Sequence, residues 1–117
     1  MEFSEFILRF IIGGFIISFI SILAETEYRV LSGLFVLFPA ITTVGYYFVS
    51  KSMSTQELQD MTIFSLISLP TLAIFFASFY ITIQYYNIIL SLIISMIIWL
   101  LSAVSTIMID KYYLNLV

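Results

Sequence analysis

Pro39, Thr42 and Thr43 in one long apolar run, and Ser65, Ser68 and Pro70 in the next, are the residues of this 117-residue chain best suited to handle a solute. Each proline removes a backbone donor and bends its helix, and the carbonyls so freed can coordinate a ligand beside the neighbouring hydroxyls. The chemistry on offer is passage through a polar, kinked surface at mid-membrane. Bond making is poorly provided for, since no nucleophile sits with an evident base and no acid–base pair is apparent. The chain has no histidine and no cysteine, which argues against zinc, haem and thiol chemistry and against a disulfide framework. No catalytic residue, metal site or cofactor is expected, and the chain is not expected to be an enzyme. With four basic residues and a net charge of −3 there is no basic patch for nucleic acid, and no glycine-rich phosphate loop is present.

Other small and polar residues recur at helical spacing. Gly14, Ser18, Ser21 and Glu25 form one stripe, Ser68, Thr71, Ser78 and Thr82 a second, and Ser91, Ser95, Ser102 and Thr106 a third. Such stripes let helix backbones approach closely, with hydroxyls bonding across the contact at about 0.6 kcal/mol each. Gly14, Ser18, Ser21, Ser91, Ser95 and Ser102 are therefore packing candidates, while a hydroxyl-lined passage is the competing reading of the same faces. Arg9 is the one charge at membrane depth. It lies four residues after Glu5 on the same face, where it can pair with that carboxylate, snorkel to the headgroups, or contact an anionic ligand or lipid.

The elements that must position these residues follow from composition. Hydrophobic residues make up 62% of the chain and charged residues 9%, against roughly a quarter charged in ordinary soluble domains. Four apolar stretches run from about Phe6 to Ala24, Val30 to Ser50, Met61 to Ile83 and Ile88 to Ile109. Each is near the roughly 20 residues that carry a helix across a bilayer, and unpaired amides in lipid leave helices as the only spanning form here. The first stretch reads as a retained helix, because Glu2 and Glu5 give it an acidic start and Leu23-Ala24-Glu25 is a poor cleavage site. Ser54 and Glu57 fit a capping box, so the third helix is expected to begin near Thr55, ahead of its apolar part.

The prediction is an all-α, polytopic integral membrane protein: one domain over residues 1–117, with helices about 6–24, 30–50, 55–83 and 88–109, and a homodimeric bundle because four helices enclose little space. Arg9, Lys51 and Lys111 fall on one side and Arg29 on the other. The positive-inside rule then places both termini in the cytoplasm of a multi-pass protein of the cell membrane, although so small a bias also fits insertion in both orientations. Tyr28, Tyr46, Tyr47, Tyr85, Tyr86, Tyr112 and Tyr113 sit near the expected interfaces, and Trp99 near the centre of the fourth span suits packing.

The run Leu31-Ser32-Gly33-Leu34-Phe35-Val36-Leu37-Phe38-Pro39-Ala40, continuing through Tyr46-Tyr47-Phe48-Val49, resembles the Ala-Gly-Leu, Leu-Phe-Pro and aromatic pattern of the GlpM family of small bacterial inner-membrane proteins. Thr62-Ile63-Phe64-Ser65 followed by Pro70, and Trp99 with Ser102-Ala103, keep the order of that family's later features. The similarity covers about residues 12–105. This chain departs in carrying Gly45-Tyr46-Tyr47 where relatives often have a histidine, and an acidic first connection where a lysine is common. The resemblance implies a link to glycerol phosphate and exopolysaccharide production, hence to envelope metabolism, without a mechanism. Two functional readings follow. One is a small transporter or channel; the other is a non-transporting accessory or structural subunit of a larger membrane assembly. Expected partners are membrane lipids, a second copy of the chain and, in the second reading, a larger membrane protein.

Overall fold

The computed structural model describes residues 2–114, and every element in it is helical. Helix α1 covers Phe3–Ala24, α2 Arg29–Leu37, α3 Ala40–Ser50, α4 Thr55–Ile67, α5 Leu69–Thr82 and α6 Ile88–Ile109, followed by a π-helical turn over Asp110–Leu114. With α2 joined to α3 and α4 to α5, four helices are long and apolar enough to cross a membrane: Phe3–Ala24, Arg29–Ser50, Thr55–Thr82 and Ile88–Tyr112. The first starts three residues ahead of the expected Phe6, and the fourth runs on beyond Ile109.

The chain divides into two compact helical units, with the boundary in sequence between Met53 and Ser54. In the first, α1 packs against α2 and also against α3. The connection between α1 and α2 is closed by Ser32, whose Oγ donates to the Ala24 carbonyl at 2.6 Å and so ties the start of one helix to the last turn of the other. In the second unit, α4 leads into α5, and α5 and α6 pack as a hairpin.

Local sequence explains the helix starts. Ser54 Oγ accepts from the Glu57 amide at 3.2 Å, and the Glu57 carboxylate accepts from the Ser54 amide at 3.4 Å, closing the capping box that begins α4 at Thr55. Asn87 does the same for α6, its Oδ1 accepting from the Leu90 amide at 2.8 Å.

The two prolines act differently, although their positions along the second and third spans are similar. Proline disfavours the helical region for the residue before it, and Phe38 accordingly sits at φ −58°, ψ 126°, which separates α2 from α3. At Pro70 the ring falls in the first turn of α5, where a missing amide leaves nothing unpaired. The interruption there is confined to Ser68, at φ −84°, ψ −2°, close to helical. The second span is thus broken and the third only bent.

Apolar burial contributes little within the chain. Among the described residues Phe48, at 8% exposure, is the only buried hydrophobic side chain, while Phe3, Phe10, Phe15 and Val30 are more than two-thirds exposed. In water that surface would be prohibitive; in hydrocarbon it is the surface a membrane helix presents.

Candidate functional site

At the broken span the backbone ladder is rewired. The Phe38 amide donates to the Phe35 carbonyl at 3.2 Å, and the Ala40 amide turns to the Phe38 carbonyl at 2.9 Å. A continuous helix would have sent the Ala40 amide to Val36, and Pro39 has no amide to offer Phe35. The regular ladder resumes with the Thr43 amide on the Pro39 carbonyl at 2.9 Å, and Thr43 Oγ1 donates to that same carbonyl at 2.7 Å. Pro39, Thr42 and Thr43 are all exposed. Offsets of three and four put both threonines on the proline's face, so this break presents polar backbone beside hydroxyls about halfway along the span.

In the other unit the bend gathers its polar atoms on one carbonyl. Ser68 O accepts from the Thr71 amide at 3.0 Å and from Thr71 Oγ1 at 2.7 Å. Ser68 is half-buried and Thr71 buried, whereas Ser65 and Pro70 are exposed. The six proposed passage residues thus form two groups of three, one in each unit.

The small-residue stripes divide by unit as well. Gly14, Ser18, Ser21 and Glu25 are all exposed, so that face of α1 is left open. In the α5–α6 hairpin the stripes are covered: Ser78, Thr82, Ser102 and Thr106 are half-buried, and Ser91 and Ser95 are completely buried. Trp99 lies half-buried on the same side of α6. Most of these hydroxyls donate to their own helix, Ser78 to Ile74 O at 2.7 Å, Thr82 to Ser78 O at 2.8 Å, Ser102 to Trp99 O at 2.7 Å and Thr106 to Ser102 O at 2.9 Å. Ser91 and Ser95 differ, for neither buried Oγ has a hydrogen-bond partner. Spacing located these two residues, but it carried no sign that their hydroxyls would be orphaned.

Arg9 is engaged within its unit. Its guanidinium carbon lies 4.6 Å from the centroid of the Phe48 ring, and one terminal nitrogen is 3.9 Å from the Glu5 carboxylate. Lys51 Nζ approaches the same Phe48 ring at 5.4 Å and the Tyr47 ring at 5.4 Å. Two of the chain's four basic residues therefore converge on one aromatic side chain, an arrangement in which the negative ring face holds cations. Phe48 and Lys51 were not apparent as partners of Arg9, because the contact joins residues about forty positions apart, and the short connection that makes the first two spans neighbours does not fix which of their faces meet. Beside this cluster α1 and α3 enclose a cleft of about 270 Å³, lined by Arg9, Gly13, Ile41, Val44, Gly45 and Phe48 among others.

The family model described as "GlpM protein" matches residues 8–114. A relative, membrane protein GlpM of Pseudomonas aeruginosa, is 25% identical over 93 residues, covering 80% of this chain and 85% of its own length. No solved structure matches the chain.

Proposed function

The chain belongs to the GlpM family of multi-pass membrane proteins, and from that premise we propose that it is a small transporter or channel rather than an enzyme, working as a homodimer with both termini in the cytoplasm. The observation that carries this reading is the break at Phe38–Pro39. It displaces the Ala40 amide from the helical ladder halfway along an apolar span, next to two threonines. Discontinuous helices of this kind are where transporters place midplane sites, since exposed carbonyls replace the hydration of a permeating group. The bend at Ser68, with Ser65 beside it, supplies the second polar element. The open face of Gly14, Ser18 and Ser21 suits close approach by a second copy. The family's association with glycerol phosphate and exopolysaccharide production makes envelope metabolism the setting.

An accessory or structural subunit is the second reading. Its support is that Thr43, Thr71, Ser78, Thr82, Ser102 and Thr106 all spend their hydroxyl protons on their own helices, which leaves few donors for a solute.

Flux separates the two. Purified protein reconstituted in liposomes should release trapped radiolabelled glycerol 3-phosphate, or shrink and re-swell with small polyols, faster than empty liposomes, and Ser68→Leu should abolish the difference without loss of helicity. Flux equal to empty liposomes for both probes, together with stoichiometric co-purification of a larger membrane protein, would replace the transporter reading with the accessory one.

A further inference from the structure

We propose that the cleft between α1 and α3 is a binding site for an anionic phospholipid, with the headgroup phosphate held by Arg9 and Lys51 and the upper part of an acyl chain lying along Gly13 and Gly45. The inference is independent of whether the protein transports anything.

Three observations within the first unit carry it. The first is charge. In a chain with net charge −3, Arg9 and Lys51 both lie against one ring that lines the cleft, at 4.6 Å and 5.4 Å from the Phe48 centroid. The Glu5 carboxylate reaches Arg9 only at 3.9 Å, near the limit of an ion pair, and touches one terminal nitrogen. The second is an unmet donor: Arg9 Nε is buried without a hydrogen-bond partner. A guanidinium presents its donors in a planar fork that matches two oxygens of a phosphate, so a phosphate at this place would engage the fork that Glu5 leaves largely free.

The third observation is the shape and depth of the cleft. Lys51 caps the end of α3 and Arg9 lies six residues into α1, about 9 Å from its start, so both charges sit toward one end of the helix pair, where long basic side chains can snorkel to the headgroups. From there the cleft continues away from the charges past Gly13, Val44 and Gly45 to Ile41. Gly13 and Gly45 both line it, and a methyl group added at either would meet nothing within 4 Å, so this part of the cleft is open. A dissolved anion would use the charges and leave the apolar part of the cleft unused. A zwitterionic lipid would bring its own cation to a doubly cationic site. An anionic phospholipid uses both halves, as basic pockets between membrane helices do.

The test uses full-length protein in detergent, titrated with phosphatidylglycerol or phosphatidylcholine and read by native mass spectrometry for retained lipid. Phosphatidylglycerol should bind in a saturable one-to-one fashion at least ten-fold more tightly than phosphatidylcholine. Arg9→Gln with Lys51→Gln should remove that preference, whereas Arg9→Lys should keep part of it. Gly45→Leu fills the apolar half without touching a charge, and it should weaken phosphatidylglycerol binding while circular dichroism stays unchanged. Equal binding of the two lipids by the native protein would overturn the proposal. So would full displacement of phosphatidylglycerol by millimolar inorganic phosphate, which would make this a soluble-anion site, and so would undiminished binding in the folded Gly45→Leu variant.

Discussion

Removing the hydroxyls of Ser91 and Ser95 should make the protein more stable. Both residues are fully buried in the α5–α6 hairpin, and neither Oγ has a partner, although helical serines usually donate to a carbonyl one turn back as Ser78 and Ser105 do here. A buried hydroxyl left unpaired costs about 1 kcal/mol or more, while a satisfied one in a membrane bundle contributes about 0.6 kcal/mol. Serine to alanine deletes one oxygen and leaves a negligible cavity, so Ser91→Ala and Ser95→Ala should each stabilise by about 1 kcal/mol. The double variant should gain somewhat less than the sum, because residues four apart on one face share surroundings. A gain near 2 kcal/mol is roughly a thirty-fold rise in the folded-to-unfolded ratio. Ser78→Ala, which removes a hydroxyl bonded to its own helix, is the control and should change stability by less than about 0.5 kcal/mol. The assay is reversible unfolding of purified protein in mixed micelles by titration with sodium dodecyl sulfate, followed by far-ultraviolet circular dichroism and the fluorescence of Trp99. A loss of about 1 kcal/mol in either serine variant would refute the reasoning, since it would mean that the hydroxyl does have a partner in the membrane.

Ser54→Ala removes one half of the capping box and should cost about 1 kcal/mol in the same titration, with Glu57→Gln costing less because an amide oxygen still accepts. Pro39→Ala restores an amide and relaxes Phe38, so α2 and α3 should fuse; hydrogen exchange at Ala40 and Ile41 should slow by about ten-fold or more, and unchanged exchange would show that the break does not depend on proline. The absence of cysteine permits a clean orientation test. Tyr86→Cys should react with a membrane-impermeant maleimide from outside intact cells and Ser52→Cys should not, while reaction of both would show insertion in two orientations.

Helix count and helix starts were legible because they rest on local rules. Runs of apolar residues near bilayer length specify spans, and Ser54 with Glu57 specifies where α4 begins. Pro39 announced an interruption for the same reason, since its effect on Phe38 is a clash between adjacent residues. The contrast between Pro39 and Pro70 was harder to see. Whether a proline breaks a span or opens a fresh helix depends on where the neighbouring turn restarts, and Ser68 settles that through its carbonyl rather than through any pattern of residue types. Spacing also gathered the serines of α6 on one face, but not which hydroxyls turn back to their own backbone, a choice made by rotamers against α5. The cluster of Arg9, Phe48 and Lys51 was least legible: a four-residue connection makes the first two spans neighbours, but periodicity describes one helix at a time and does not give the facing and register that set Phe48 against Arg9.

The clasp at the first connection bears on how the protein is made. Ser32 joins α2 to the last carbonyl of α1 across a connection of only four residues that carries Glu25 and Glu27. A nascent chain emerging in order can form this clasp once Ser32 has left the ribosome, before the residues beyond Met53 have emerged. With the termini in the cytoplasm, as proposed, the two acids would cross the bilayer within a compact turn whose polar backbone is partly bonded to itself, instead of as an extended loop dragged through hydrocarbon. Biogenesis can proceed as two successive insertions, one per helical unit, each delivering a pair of spans that already hold one another.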